Sequence, residues 1–492
     1  MIDAMAPAML ERAVKAGDMP VLGTLMERGL YVPDCVAAFP SVTPVCAASI
    51  VTGAWQDQHN IPAMNWFKRD ENRYVEYGSS FRASQRVGIS RQLTDTVYNM
   101  NRSHLAADPL TIFEKLDDAG VRTAGTTYLM YRGRHRHQPQ RDSALTRLAS
   151  TLLRHPVMGP RELFYADIFA SRQAPCSSTL GMPGVRDRHS GCVCAYMVEN
   201  DLFDFLLLSL PDNDWYSHKR GPEGQLRSLA SADLQLARIM DAGGGVERFL
   251  EDHAVIVMAD HSQVPIEHKI SLQDELNDLE VLLPTRPSNR GSGRGDKARI
   301  AVCPSQRAAM VYVLAEHRHQ ELRSDVIRRA LQIDGVDLVM WLERDPYGAP
   351  QQAVIARPAV GELRFMPGHD VRDTRHARWN VAGDLSVISA QLDGHVLSTP
   401  VYPDALGRVW AALLCETSGE VLLSAAPDYE FVDWGGQAHV GGGSHGSLHA
   451  SDSLGALVMY GIDSTGQERS PWAIRDIASL IELHFGVGSP AS

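Results

Sequence analysis

Apolar positions recur at helical spacing from Met9 to Arg28, interrupted at Pro20 and stopped at Gly29. YVPDCVAAFP then reads as extended chain entering a turn. DPLTIFEKLDDAG predicts a helix closed by Gly120, and VRTAGTTYL after it predicts a strand, the alternation of parallel βαβ units. FDFLLLSL before Pro211 and HAVIVMA before Asp260 are short, continuously apolar runs bounded by polar residues, the pattern of strands covered on both faces. An amphipathic helix spans Leu226 to Met240 between them and ends at Gly243–Gly245. Beyond His268 the texture changes. A flexible SNRGSGRGDK stretch (Ser288 to Lys297) precedes strand-like ARIAVCP and AAMVYVL, a helix (ELRSDVIRRALQ) and a further strand, DLVMWLE. The expected organisation is an α/β core over residues 1–274, an inserted α+β cap over 275–430, and a return to the core over 431–492.

Charge narrows the partners. With 47 basic and 59 acidic residues the net charge is −12, and no basic block tracks a phosphate backbone, so nucleic acid is not an expected partner. The apolar runs fall short of the ~18 residues that a membrane span needs. Seven cysteines without a CxxC pair read as ordinary thiols, with Cys192 and Cys194 of GCVC as a potential pair or metal site. The chain as written reads as cytoplasmic. Its start looks truncated: if Asp3 ends a buried strand, about five strand residues are expected upstream, and a targeting segment would have gone with them.

Four stretches carry chemistry. In FPSVTPVCAASIVTG, Thr43 and Pro44 open a helix that Gly53 ends, and a hydroxyl at a helix N-terminus feels a field that favours its alkoxide and an incoming phosphate. Taken alone, Thr43 is a helix cap. Asp260-His261 follows HAVIVMA directly, at the strand end that faces the ligand crevice of an open α/β sheet. Asp214 and His218, in DNDWYSHKRGP, lie on the loop after FDFLLLSL and form an oxygen–nitrogen pair suited to zinc. His445 is set among glycines in GGGSHGSLH, which permit close backbone approach.

The order and local wording of these stretches resemble the type I phosphodiesterase/nucleotide pyrophosphatase family of the alkaline phosphatase superfamily. The resemblance covers Met1 to about His268 and Gly435 to about Gly461. It implies an alkaline-phosphatase-like, mostly parallel sheet flanked by helices, and two divalent metals. One would be held by Asp214, His218 and His445 and the other by Asp3, Asp260 and His261, with Thr43 as nucleophile beside the second. It also implies a covalent phosphothreonine and places Asn65, in HNIPAMNWF, on a phosphoryl oxygen. Three imidazoles among six ligands suit zinc, with manganese or iron as alternatives.

The chain departs from the family pattern in two places. Ser217 replaces the glycine of DxxGH. Pro44 stands where nucleotide-cleaving members have an aromatic residue, which weighs against a nucleotide unless Trp66, Phe67, Tyr131, Trp215 or Tyr216 supplies the stacking. Arg132, Arg134, His135 and Arg136 form a basic knot that reads either as a grip on a distal anion or as a solvated loop. The expected substrate is small and contains phosphate or phosphonate. Phosphodiester hydrolysis leads, with nucleotide pyrophosphate cleavage, phosphonoacetate-type C–P hydrolysis and phosphoryl transfer as neighbours. A metal-stabilised binding protein without turnover is the reading from another class. A sulfatase is not expected, because no CxPxR-type motif surrounds Thr43.

Overall fold

The computed structural model describes residues 1–139, 154–165, 168–177, 182–284, 298–463 and 471–487. The first apolar stripe forms two helices, α1 (Pro7–Lys15) and α2 (Pro20–Arg28), each opened by a proline whose missing N–H would have had no helical partner. After β1 (Leu30–Val36) comes α3 (Thr43–Thr52), with Pro44 in its first turn and Gly53 at φ +74° closing it. Next, α4 (Ile112–Asp118) starts at a capping box of Thr111 and Glu114 and leads to β2 (Thr123–Thr126). β3 (Glu162–Tyr165), α5 (Arg186–Glu199), β4 (Phe205–Leu208), α6 (Asp212–Arg220), α7 (Gln225–Ala242) and β5 (Val255–Met258) follow.

β3, β2 and β4 pair in parallel. Ile2 joins this group to β5: it bridges Leu210 in parallel, and its N–H donates to Met258 O at 2.9 Å. Beyond β5 the sheet turns antiparallel, through β12 (Leu454–Tyr460) to β1. Because β1 and β5 both run against β12, they point the same way, and β12 is the reversed strand in this order. The reason lies in how the chain re-enters. β12 arrives from a distant segment, without the helical crossover that ties consecutive strands into parallel order.

Two apolar clusters cover opposite faces of this sheet, and β12 shows the alternation: Leu457 and Met459 join one, Ala456 and Val458 the other. The first cluster takes Val45 and Ile50 of α3 and Phe113 of α4; the second takes Leu10, Leu22, Val193 and Leu229 from α1, α2, α5 and α7.

A second sheet is built from β6 (Ile300–Ser305), β7 (Ala308–Val313), β8 (Val336–Arg344), β9 (Pro350–Arg357), β10 (Gly361–Asp373) and β11 (Val421–Ala425). These six pair antiparallel in the order β6-β7-β11-β8-β9-β10, with α8 (His319–Ala330) between β7 and β8 in the chain. The Ser288 to Lys297 stretch lies outside the described residues.

One cysteine expectation is overturned. Cys176 and Cys192 form a disulfide, their Cα atoms 5.9 Å apart, while Cys194 is a buried thiol. Residues two apart on α5 face different directions, so Cys192 meets the segment after β3 while Cys194 enters the core. No helix among the described residues is long and apolar enough to cross a membrane.

Candidate active site

Six side chains converge where the strand ends of the first sheet meet α3 and α6. Asp3 is held by its N–H, which donates to Leu210 O at 3.1 Å, and Asp260-His261 follows β5. Asp214 and His218 were expected on a loop. They lie instead one turn apart on α6, which puts both on one helix face and brings His218 Nε2 to 3.3 Å from Asp214 Oδ1. Ser217 is an interior helical residue whose Oγ accepts from Gln225 Nε2 at 3.2 Å, so no glycine conformation is required there.

His445 Nε2 stands 3.5 Å from Asp214 Oδ1. His261 Nε2 stands 3.7 Å from Asp3 Oδ1 and 3.4 Å from Asp260 Oδ2, and its ring stacks on that of His445 at 3.6 Å between centroids. Two triads have ligand atoms mutually within 4.8 Å: Asp3, Asp260 and His261, and Asp214, His261 and His445. His261 thus sits between the two groups and His218 flanks the second.

Thr43 does not act as a capping side chain. It is the first helical residue, and its Oγ1 lies 3.3 Å from His261 Nε2.

All three imidazoles are oriented by backbone carbonyls. Nδ1 of His218 lies 2.7 Å from Gly443 O, that of His261 3.1 Å from Ser262 O, and that of His445 2.7 Å from Ser41 O. This pattern holds the proton on Nδ1 and leaves Nε2 as the inward lone pair. Asp3 Oδ1, Asp260 Oδ2 and His445 Nε2 are buried with no hydrogen-bond partner. Orphaned acceptors of this kind are costly unless a cation satisfies them. The oxygen and nitrogen donors fit divalent cations.

The electrostatics agree. Burial, then the charges of Asp260 and Asp214, push the Asp3 carboxyl well above its usual range. Burial would raise Asp214 too, but the imidazoles of His218, His445 and His261 outweigh it and hold that carboxylate below the usual range. Burial and the neighbouring His261 drive His445 well below the ordinary imidazole value.

The type I phosphodiesterase/nucleotide pyrophosphatase model matches residues 1–384. The chain belongs to this family. Solved structures with the same alkaline-phosphatase-like fold include phosphonoacetate hydrolase from Sinorhizobium meliloti in complex with phosphonoformate, at 16% identity and TM-score 0.55, covering 98% of this chain and 94% of that one. Murine ectonucleotide pyrophosphatase/phosphodiesterase 5, an inactive variant in complex with AMP, has 12% identity and TM-score 0.57 and covers 100% and 94%. Its human counterpart has 11% identity and TM-score 0.55, covering 100% and 94%. No curated protein sequence matches the chain.

In this phosphodiesterase-family chain three residues expected to contact substrate have partners within the protein. Asn65 is buried and donates Nδ2 to Pro304 O at 2.6 Å, while its Oδ1 has no hydrogen-bond partner. Trp66 is buried too, donating Nε1 to Tyr77 OH at 3.2 Å. Tyr216 packs on Trp215 and carries Arg220 over its ring at 5.8 Å. Three of the four residues of the basic knot are spent on structure. Arg132 and Arg134 both pair with Glu114, Arg134 also pairs with Asp118, and His135 faces Asp117.

Other residues carry parts no motif announced. The turn between β6 and β7 reaches the centre: Arg307 N–H donates to His445 O at 2.9 Å, and Gln306 Nε2 lies 3.4 Å from His218 Nε2. Gln263 Nε2 donates to Asp214 Oδ1. His439 stacks on His218 at 4.0 Å and sits 2.7 Å from Glu430. Of these, Gln263 and His439 had a signal, their closeness to the DH and HG stretches; Gln306 and Arg307 had none.

Proposed function

We propose that this protein hydrolyses phosphoryl esters through two bound divalent cations, zinc by donor type, and a covalent phosphothreonine at Thr43. The observation that carries this reading is Thr43 Oγ1 at the head of a buried helix, 3.3 Å from His261 Nε2. The orphaned Asp3 Oδ1 and Asp260 Oδ2 lie 3.7 and 3.4 Å from that same nitrogen, and the His445 ring stacks on His261. Asp3, Asp260 and His261 would hold one cation and Asp214, His218 and His445 the other, with His261 near both. Bound divalent cations supply Lewis acidity toward phosphoryl oxygens and lower the pKa of a neighbouring hydroxyl.

The chain does the rest. The N-terminus of α3 places Thr43 where its dipole favours the alkoxide and the phosphate. Thr43 Oγ gives up its proton and forms the new P–O bond as the ester P–O bond breaks, and the departing oxygen takes a proton. Water then attacks phosphorus, the P–Oγ bond breaks, and Thr43 regains its proton. The cap over 275–430 is proposed to roof the site, as the contact of Arg307 with the His445 loop suggests. Because disulfides persist in oxidising compartments, Cys176–Cys192 favours such a compartment over the cytoplasm.

The test is Thr43→Ala. Turnover of a chromogenic phosphodiester by zinc-loaded protein is expected to fall by roughly 10⁴-fold or more, and acid quenching of wild type should trap phosphate on Thr43. Wild-type turnover by Thr43→Ala would rule the mechanism out. A second reading, phosphonate cleavage, is favoured by Pro44 on the cavity wall and by the likeness to phosphonoacetate hydrolase. Phosphate released from phosphonoacetate but not from the diester would select it.

A further inference from the structure

Beside Thr43 opens a cavity of about 280 Å³, lined among others by Pro44, Asp214, Tyr165, Arg186 and His189. This is at the lower edge of the ~300–1,000 Å³ of ordinary ligand pockets, so it fits a small molecule. The wall that carries Arg186 is rigid. Thr127, also on the wall, holds φ +59°, which a β-branched residue rarely adopts. It is kept there by its N–H on Phe164 O at 3.1 Å and its Oγ1 2.7 Å from Ser190 Oγ of α5. The Cys176–Cys192 disulfide ties α5 down a second time.

Arg186 opens α5. Nε donates to Asp212 Oδ1 and Nη2 to Pro211 O, both at 3.0 Å, while Nη1 has no partner among the described residues. Asp212 is satisfied independently, by the N–H groups of Gly184 and Asp187. The guanidinium is therefore pinned in direction with one donor edge to spare, and its charge reaches Asp3.

We infer that this cavity selects a small phosphoryl substrate bearing a second anionic group, and that Arg186 is the residue that reads that group. The inference rests on phosphorus sitting at Thr43, as proposed above. A fixed cation on a wall held by a disulfide and a strained threonine discriminates by charge at little ordering cost.

The experiment measures binding, which needs no turnover. Zinc-loaded Thr43→Ala protein is titrated by calorimetry with phosphoglycolate, ethylene glycol bisphosphate and ethyl phosphate, which lacks the second anionic arm. A charge-assisted contact predicts the two ligands with an anionic arm to bind about 30-fold more tightly than ethyl phosphate, about 2 kcal/mol at ~1.4 kcal/mol per tenfold. Whichever arm binds tighter, carboxylate or phosphate, identifies the group. Arg186→Gln should bring the ratio within about threefold of one, and Arg186→Lys should restore most of it. A ratio near one in the Arg186 protein, or a ratio unchanged in Arg186→Gln, overturns the inference. So does equal weakening of all three ligands, which marks Arg186 as only a staple for Asp212. Failure of the covalent mechanism shows separately, as diester turnover that survives Thr43→Ala.

Discussion

Replacing Asp260 with asparagine separates the cost of gathering carboxylates from the benefit of binding metal, because the two predict opposite signs. Asp260 is fully buried; Oδ1 accepts the Ala4 N–H at 3.1 Å, and Oδ2 has no partner. Burial and the facing Asp260 together raise the Asp3 carboxyl. In Asp260→Asn the carbonyl oxygen keeps the Ala4 bond, and the new amide gains an acceptor in Asp3. One buried negative charge disappears and no polar group is newly stranded. The relief is on the order of 1–3 kcal/mol, the scale of one to two pKa units. A chain of this length shifts Tm by roughly 1–2 °C per kcal/mol, so in EDTA the variant should melt about 1–6 °C above wild type. With zinc the advantage is offset. Losing a carboxylate ligand should weaken zinc by at least about 100-fold, which removes roughly 2.7 kcal/mol of ligand-linked stability at fixed zinc. Melting curves in EDTA and in buffered zinc, with chelator competition for affinity, test both halves. A variant that melts lower in EDTA and binds zinc as wild type does would refute the electrostatic account.

Gly442 and Gly441 make a paired steric test. A Cβ on Gly442 would fall 1.9 Å from His218 O, so Gly442→Ala should cost about 3 kcal/mol or more and weaken zinc binding, because α6 or the His445 loop must move. Gly441, at φ +81° with nothing within 4 Å, should tolerate alanine at about 1–2 kcal/mol; equal losses in the two melts would contradict this. His59 is buried, accepts the Ile61 N–H on Nδ1, and is pushed down to about 3 by burial. Its unfolded imidazole titrates near 6.5, so the unfolded state takes up the proton first. Stability is present above pH 6.5 and is lost as pH falls toward 3, at up to about 1.4 kcal/mol per unit. His59→Gln should flatten that part of the acid limb in denaturant titrations, and an unchanged slope would show that other groups dominate.

Much of the core was legible because short-range pattern determines short-range structure. Pro20 and Gly29 bracket α2, Gly53 stops α3, and the apolar runs before Pro211 and Asp260 are strands β4 and β5. Those signals live within one or two turns of chain, where propensity and periodicity act. They also placed the metal-ligand candidates, since residues at strand ends face one crevice. Asp214 and His218 were the exception in local form: the polar run DNDWYSHKR lacks an apolar stripe, yet it is helical because α7 and the glycine-rich loop pack on it.

What the sequence determined by itself was therefore the inventory of this protein: its elements, its nucleophile candidate and its carboxylates and imidazoles in order. Tertiary structure decided which of them meet. It reversed β12 in the sheet, turned Thr43 Oγ1 from a cap toward His261, and stacked His261 on His445. It also set Asn65 Nδ2 on Pro304 O, paired Cys176 with Cys192, and put Arg186 in one cavity with Thr43. Each of these joins residues far apart in the chain, and nothing in the local pattern of either partner encodes the other's position. The geometry appears only when burial of the two apolar clusters fixes the helices and strands that carry them.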